Sequence, residues 1–301
     1  MSREWRFKGN SFTEERGLDT ADMETFKKDP IASLTREICQ NSIDAKLPDE
    51  SKVLIEFHSF KINKEKIPGI DRLRKEIISC IEYTESKKNQ KIVGQLKSML
   101  SAINKSEILC LRISDNNTKG LLGVSEEDSP FYLLTKGSGI TDKIGTEAGS
   151  KGIGKYASFV ASKFNTVFYS TYNIDRENGC IGISKLCSTR MPGNTKEKTI
   201  GTGYYGIDNE NSPILEQLNL DDEYIRKTSG TDVYILGFKG GVLWKQEIVE
   251  NVLDNFMAAI IFGELEIEVD DIQINKSTLD YLIENIKNTS NITIKRNGRC
   301  L

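Results

Sequence analysis

One histidine, His58, serves the whole 301-residue chain. Ser-His-Asp triads and histidine-based metal centres therefore have almost no material to work with. His58 itself lies in the alternating run Val53–Phe60, which reads as a strand, and is expected to be an ordinary strand residue. The six cysteines, at 39, 80, 110, 180, 187 and 300, form no Cys-x-x-Cys pair, which argues against structural zinc and against a disulfide framework. Cys39 and Cys110 stand in apolar contexts that suit buried free thiols. Long apolar runs are missing as well. The stretch Phe256–Phe262 is far short of the roughly 20 residues that a bilayer span requires. Met1–Phe7 lacks the apolar run of a secretory signal and no lipidation motif closes the C-terminus, so the expected address is cytoplasmic, with no membrane partner. Finally, no sign of charge dominates: 41 Lys and Arg face 44 Asp and Glu, a net of -3, and nothing in that balance calls for nucleic acid.

What is present is an ordinary globular composition, 38% hydrophobic and 28% charged, over a length that suits two domains or one large α/β domain with additions. Residues 1–29 read as an irregular arm. Asp29-Pro30 starts a helix in which Ile31, Leu34, Ile38 and Ile43 recur at helical spacing to about residue 46. A strand near 53–60 follows. Two amphipathic stretches at about 70–84 and 87–103 then form a helical insert, taken as 61–105. Ile108–Ile113 reads as a buried strand. Beyond it come a short helix near 129–135, a glycine-rich segment from Gly137 to Gly154, and a helix at 153–163. A strand at 166–171 precedes alternating runs near 180–187, 198–206 and 231–238. Gly240-Gly241 is the boundary candidate, with a helix-strand-helix extension at 241–301 that would open a further domain. No internal repeat is visible. Strands and helices without strict βαβ alternation predict an α+β fold, a sandwich with helices on one face of a mixed, mainly antiparallel sheet.

Four segments carry chemistry. In Arg36–Ala45, positions 37, 41 and 44 share one helical face, so Glu37, Asn41 and Asp44 point the same way. An amide oxygen is a hard ligand suited to Mg²⁺, and a glutamate one turn away can activate water; a solvated helix face has the same pattern. Asp115–Gly120 follows a buried strand. A carboxylate there can accept a hydrogen bond from an exocyclic amine while glycine admits a flat base, although an Asx turn uses the same residues. Gly149–Ala157 opens a helix with glycines and two lysines, a phosphate-binding device. A P-loop would need Ser or Thr where Tyr156 stands, and a dinucleotide fingerprint would need a parallel strand where 142–148 offers none. The fourth, Gly230-Thr231, enters a strand. Its hydroxyl can join the base-binding carboxylate through water, and a plain turn is the alternative.

In this order the four segments resemble the Bergerat-fold, or GHKL, ATPases, the superfamily of DNA gyrase, the heat-shock chaperone, sensor histidine kinases and MutL. The resemblance covers about residues 30–238. It implies a two-layer α/β sandwich over 30–240 that binds ATP or ADP with Mg²⁺ and hydrolyses ATP. Glu37 would be the general base and Asn41 the magnesium ligand, with Asp44 and Ala45 on the same binding helix. Asp115 would receive the adenine amino group, Gly120 would lie beside the base, and Thr231 would complete that network. Gly149, Gly152 and Gly154 would form the mobile lid with Ile153, and Lys151 and Lys155 would contact phosphate. The family pattern has a glycine where Asn117 stands; Asn tolerates left-handed torsions, so the turn is expected to survive.

The only histidine is in a strand, which disfavours a sensor kinase. The wording Gln40–Ala45 looks more like the chaperone, MutL and MORC branch, in which ATP closes two protomers into a clamp. That implies a homodimer on ATP binding, in a chaperone-like or phage-defence setting. The arm with Trp5, Phe7 and Phe12 would either be exchanged between protomers or pack on its own domain. Only about 60 residues follow Gly241, too few for the domain that supplies a γ-phosphate lysine in that branch. A protein partner or a missing C-terminal region, and slow turnover in isolation, are therefore expected. A non-hydrolysing ATP/ADP-sensing interaction module is the alternative, which retention of both Glu37 and Asn41 disfavours.

Overall fold

A computed structural model describes residues 2–11, 14–137 and 154–285. The chain opens with strand β1 (Glu4–Asn10), the short helix α1 (Ala21–Glu24) and helix α2 (Pro30–Asp44). Asp29 caps α2 by accepting from the Ala32 amide, and Pro30 takes the first turn, where a missing N–H costs nothing. Strand β2 (Val53–Asn63) leads through a 3-10 turn to the helical pair α3 (Ile70–Ser86) and α4 (Gln90–Ile103), and then to β3 (Glu107–Asn116). Next come α5 (Pro130–Thr135), α6 (Tyr156–Val160), β4 (Thr166–Tyr172), β5 (Asn178–Lys185), β6 (Arg190–Met191), β7 (Asn194–Gly206) and β8 (Gly230–Leu236). Helix α7 (Trp244–Ile261), β9 (Leu265–Val269) and β10 (Ile272–Ile274) follow, with a further helical stretch at 279–285.

The strands form one open sheet in the order β1-β7-β5-β4-β8-β3-β2-β9-β10, with β6 paired to β7. All pairings are antiparallel except β2 with β9. Alternation along the strands sorts side chains to two faces. Val53, Ile55, Phe57, Leu111, Ile113, Val233 and Ile235 share one core with Leu34, Tyr156, Phe159, Ile248 and Val252, so α2, α6 and α7 cover that face. Ile62, Ile108, Cys110, Phe168 and Tyr234 share a second core with Leu73, Ile77, Leu96 and Met99, so α3 and α4 cover the other. The fold is thus mixed α+β with a large, mainly antiparallel open sheet, and the expectation of helices on one face is corrected. The apolar stripes of the 61–105 insert need a partner, and the second face of β1, β7, β5, β4 and β8 supplies it.

Two further departures have physical causes. The arm is not wholly irregular, because β1 is an edge strand on β7. Trp5 and Phe7 are buried, with Phe7 over Gly203 and Trp5 over Gly182, where glycine leaves room for a ring. Trp5 also donates its indole N–H to the Pro68 carbonyl at 3.1 Å. The pair therefore packs in this chain's own core, while Phe12 lies outside the described residues. Across Gly240-Gly241 the chain stays within one sheet: α7 lies on the face that α2 covers, and β9 pairs with β2. All five described cysteines are buried free thiols. No helix among the described residues is long and apolar enough to cross a membrane.

Candidate functional site

The site is built around α2. Its apolar side, with Leu34 and Cys39, faces the sheet; Glu37 is half-buried, and Asn41 and Asp44 are exposed, so the polar stripe lies along the helix margin. Asp44 accepts from the Gln40 amide at 2.9 Å, a contact within the helix surface. The C-terminal end of α2 is tied to the turn after β3. Lys119 donates its amide to the Ala45 carbonyl at 2.9 Å, Leu47 donates to the Asn117 carbonyl at 3.0 Å, and Lys46 bridges Thr118. The first two motifs are therefore one rigid unit.

Asp115 closes β3 with its side chain turned toward α2. Its carboxylate accepts from the Ser42 hydroxyl at 3.2 Å, the Thr118 hydroxyl at 2.5 Å and the Thr231 backbone amide at 2.9 Å. Burial raises this carboxyl above its ordinary value, opposed only in part by the Arg226 guanidinium, Thr118 and the Thr231 amide, and Asp232 adds to the rise. Asn117 adopts φ +63°, the left-handed conformation expected of it, and donates its side-chain amide to the Lys52 carbonyl at 3.0 Å. Gly120 also has a left-handed φ of +67°. A Cβ there would lie 2.9 Å from the Thr171 hydroxyl, the Tyr172 carbonyl and the Asn173 backbone, so the end of β4 requires this glycine regardless of any base.

Of the third motif, Gly149, Lys151, Gly152 and Ile153 lie outside the described residues. Gly154 is described, and it is buried directly against Glu37: a Cβ built on it would overlap the Glu37 carboxylate. Burial raises the Glu37 carboxyl above its ordinary value, with Arg36 opposing. Lys155, expected at phosphate, is placed elsewhere. Its ammonium donates to the carbonyls of Leu133 at 3.1 Å and Leu134 at 3.0 Å, and to that of Gly137. It thus satisfies the carbonyls that the end of α5 leaves open. Burial lowers its basicity to about 8.

Composition did not signal several groups at this site. Arg226, 5% exposed, donates to both oxygens of Asp232 at 2.8 and 2.6 Å, to the Asp115 carbonyl at 2.9 Å and to the Thr231 carbonyl at 3.0 Å. Gly230 lies beneath it, where a Cβ would meet the Asp115 carboxylate at 2.8 Å, so the turn into β8 can approach β3 only without a side chain. Asp232 also accepts from the Tyr224 hydroxyl at 3.0 Å. Ser42 and Thr118 fall inside the motifs already noted, but their hydroxyls became readable only from the fold.

Among the described residues no three His, Cys, Asp or Glu side chains converge as a metal-holding group. Asn41 offers a single exposed amide oxygen one turn from Glu37, a donor set that fits a Mg²⁺ held mainly by water and phosphate oxygens. A cleft of about 720 Å³ lies between the start of α7 and β10, lined by Val242, Leu243, Ile272 and Tyr281. Its charged lining residues, Lys245 and Asp271, are joined in an ion pair at 2.6 Å. No protein-family model matches this chain, and no curated protein matches it.

Proposed function

We propose that this chain binds ATP with Mg²⁺ and hydrolyses it, as a Bergerat-type ATPase whose sandwich is formed by α2, α6 and α7 on β2, β3, β8 and β4. On this reading the α3–α4 pair is an addition on the opposite face. The observation that carries the proposal is the convergence on one helix. Glu37 abuts the last glycine of the glycine-rich segment, while Ser42, five residues further on, touches the carboxylate of half-buried Asp115. Segments spread over more than a hundred residues of sequence thus meet on one helix, which supports a reading with the base at one end and the phosphates at the other.

In this reading Asp115 accepts the exocyclic amine of the base; burial raises its carboxyl, and the Arg226 charge and the donors around it oppose that shift in part. Asn41 would supply an amide oxygen to Mg²⁺, which when bound would neutralise phosphate charge. Glu37, desolvated enough to raise its proton affinity, takes the proton from the attacking water. Gly154 leaves the space in which that carboxylate sits. Lys155 braces the start of α6 on α5 and is not used as a phosphate ligand.

Isothermal titration of ATP and ADP with Mg²⁺, together with phosphate release by wild type and Glu37→Ala, tests the proposal. Expected are binding of both nucleotides and slow turnover that Glu37→Ala reduces to a small residual rate without loss of ATP binding. Absence of binding by folded protein, or turnover indifferent to Glu37→Ala, would overturn it. Dimerisation on ATP belongs to the same reading and is read by size exclusion with a non-hydrolysable analogue.

A further inference from the structure

The Asp232 side chain projects from β8 with Tyr234 and Leu236, on the face away from α2, whereas Asp115 and Thr231 project toward α2. Arg226 lies with Asp232 and, besides a longer contact of 3.4 Å to the Asn116 side-chain oxygen, reaches the base site through the carbonyls of Asp115 and Thr231. Those residues are the two whose carboxylate and amide are joined on the α2 side at 2.9 Å. One planar guanidinium therefore fixes two strands: two donors are taken by the Asp232 carboxylate in a bidentate pair, and the rest by carbonyls of β3, β8 and the 228–231 turn. Few other side chains could do this, since lysine has neither the plane nor the number of donors.

We propose that Arg226 is a positioning residue of the base site: from the opposite face of the sheet it holds the Asp115 and Thr231 backbones in register, so that the Thr231 amide fixes the Asp115 carboxylate as the acceptor for a 6-amino purine. The inference rests on the reading of Asp115 as the base acceptor. Arg226 touches no ligand. The proximity of its positive charge also favours the ionised carboxylate, the form that accepts from an amine and repels the 6-oxo group of hypoxanthine.

The test is the ratio of dissociation constants for ITP and ATP, measured by isothermal titration on the full chain as wild type, Arg226→Gln and Arg226→Lys. The two nucleotides share ribose, phosphates and metal and differ at the 6-position, so general loosening changes both constants alike and leaves the ratio fixed. Wild type is expected to prefer ATP by about tenfold or more, the scale of a hydrogen bond to a charged group. Arg226→Gln is expected to narrow that preference toward unity, mostly through weaker ATP binding, with Arg226→Lys in between. An unchanged ratio in Arg226→Gln overturns the proposal and leaves the ATPase reading standing, as does a wild type that binds both nucleotides equally. A wild type that binds neither removes both. If Arg226→Gln does not fold, Arg226→Lys decides: a ratio below that of wild type supports the proposal and an equal ratio refutes it.

Discussion

Gly154→Ala should separate activity from stability. Gly154 is buried and outside the left-handed region, and its carbonyl accepts from the Ala157 amide at 3.0 Å at the entry to α6, so alanine is compatible with its backbone. Its Cβ, however, would overlap the carboxylate of Glu37, the end of a flexible side chain and not a backbone atom. The substitution is therefore expected to displace the carboxylate by on the order of 1 Å, and misplacement on that scale costs about 100-fold in rate. On the stability side, alanine in place of glycine at a compatible position stabilises by about 0.4–1 kcal/mol through the unfolded chain, which offsets the re-seating of Glu37.

The assay pairs thermal unfolding with phosphate release at saturating ATP. Expected are an unfolding temperature within a few degrees of wild type, ATP affinity nearly unchanged, and turnover reduced about 100-fold. The double variant Gly154→Ala with Glu37→Ala should be no slower than Glu37→Ala alone, because both changes act through one carboxylate. Turnover in Gly154→Ala equal to wild type would refute the role of Glu37 as base. A further loss in the double variant would show that the methyl group harms something else.

Glu37→Gln should raise the unfolding temperature at neutral pH. The folded-state carboxyl lies above its ordinary value of 4.5, so the ionised form costs stability above the raised value, and that cost vanishes as pH falls toward 4.5. The gain should therefore disappear below pH 4.5, and a pH-independent gain contradicts the assignment of burial as the cause. Asn117→Ala should destabilise by about 2–3 kcal/mol, the sum of a left-handed alanine and the lost bond to the Lys52 carbonyl, whereas Asn117→Gly should cost only about 1 kcal/mol. Chemical denaturation checks this pair, and equal losses would show that the backbone torsion is not what the site demands.

Much of this fold was legible where local periodicity decides. The apolar spacing of Ile31, Leu34 and Ile38, with Asp29 as cap, marks α2, and the stripes of α3 and α4 mark the insert. What the sequence hid depends on pairing at a distance. Trp5 and Phe7 became a strand because β7, about two hundred residues on, pairs with them, with Gly203 of β7 beneath the Phe7 ring and Gly182 of β5 beneath that of Trp5. Nor does an amphipathic stripe state which face of a sheet it will cover. At the candidate site the order of motifs placed Glu37, Asn41, Asp115 and Thr231 on neighbouring elements, yet a lysine beside glycines looks like a phosphate ligand in any sequence. Only the fold shows that Lys155 answers the open carbonyls of α5. Arg226 carries no motif at all, and its contact with the Asp115 carbonyl spans 111 positions.

These contacts divide the candidate site into two mechanically distinct ends. At the proposed base end α2, the 116–120 turn and β8 are joined by main-chain hydrogen bonds and by the shared Asp115 carboxylate, so nothing there can shift alone. At the proposed phosphate end, Glu37 and Gly154 meet through a side chain, and Lys155 secures the start of α6 to α5 and not to that rigid unit. Perturbations at the two ends should then be independent. Asn117→Ala should weaken ATP binding with little change in the turnover of bound nucleotide, and Gly154→Ala should do the reverse. Combined, their effects on kcat/KM, expressed as free energies, should add to within about 0.5 kcal/mol, as they do for sites that share no partner. A coupling larger than about 1 kcal/mol would mean that the base and phosphate ends move as one body, and that the rate effect of Gly154→Ala cannot be assigned to Glu37 alone.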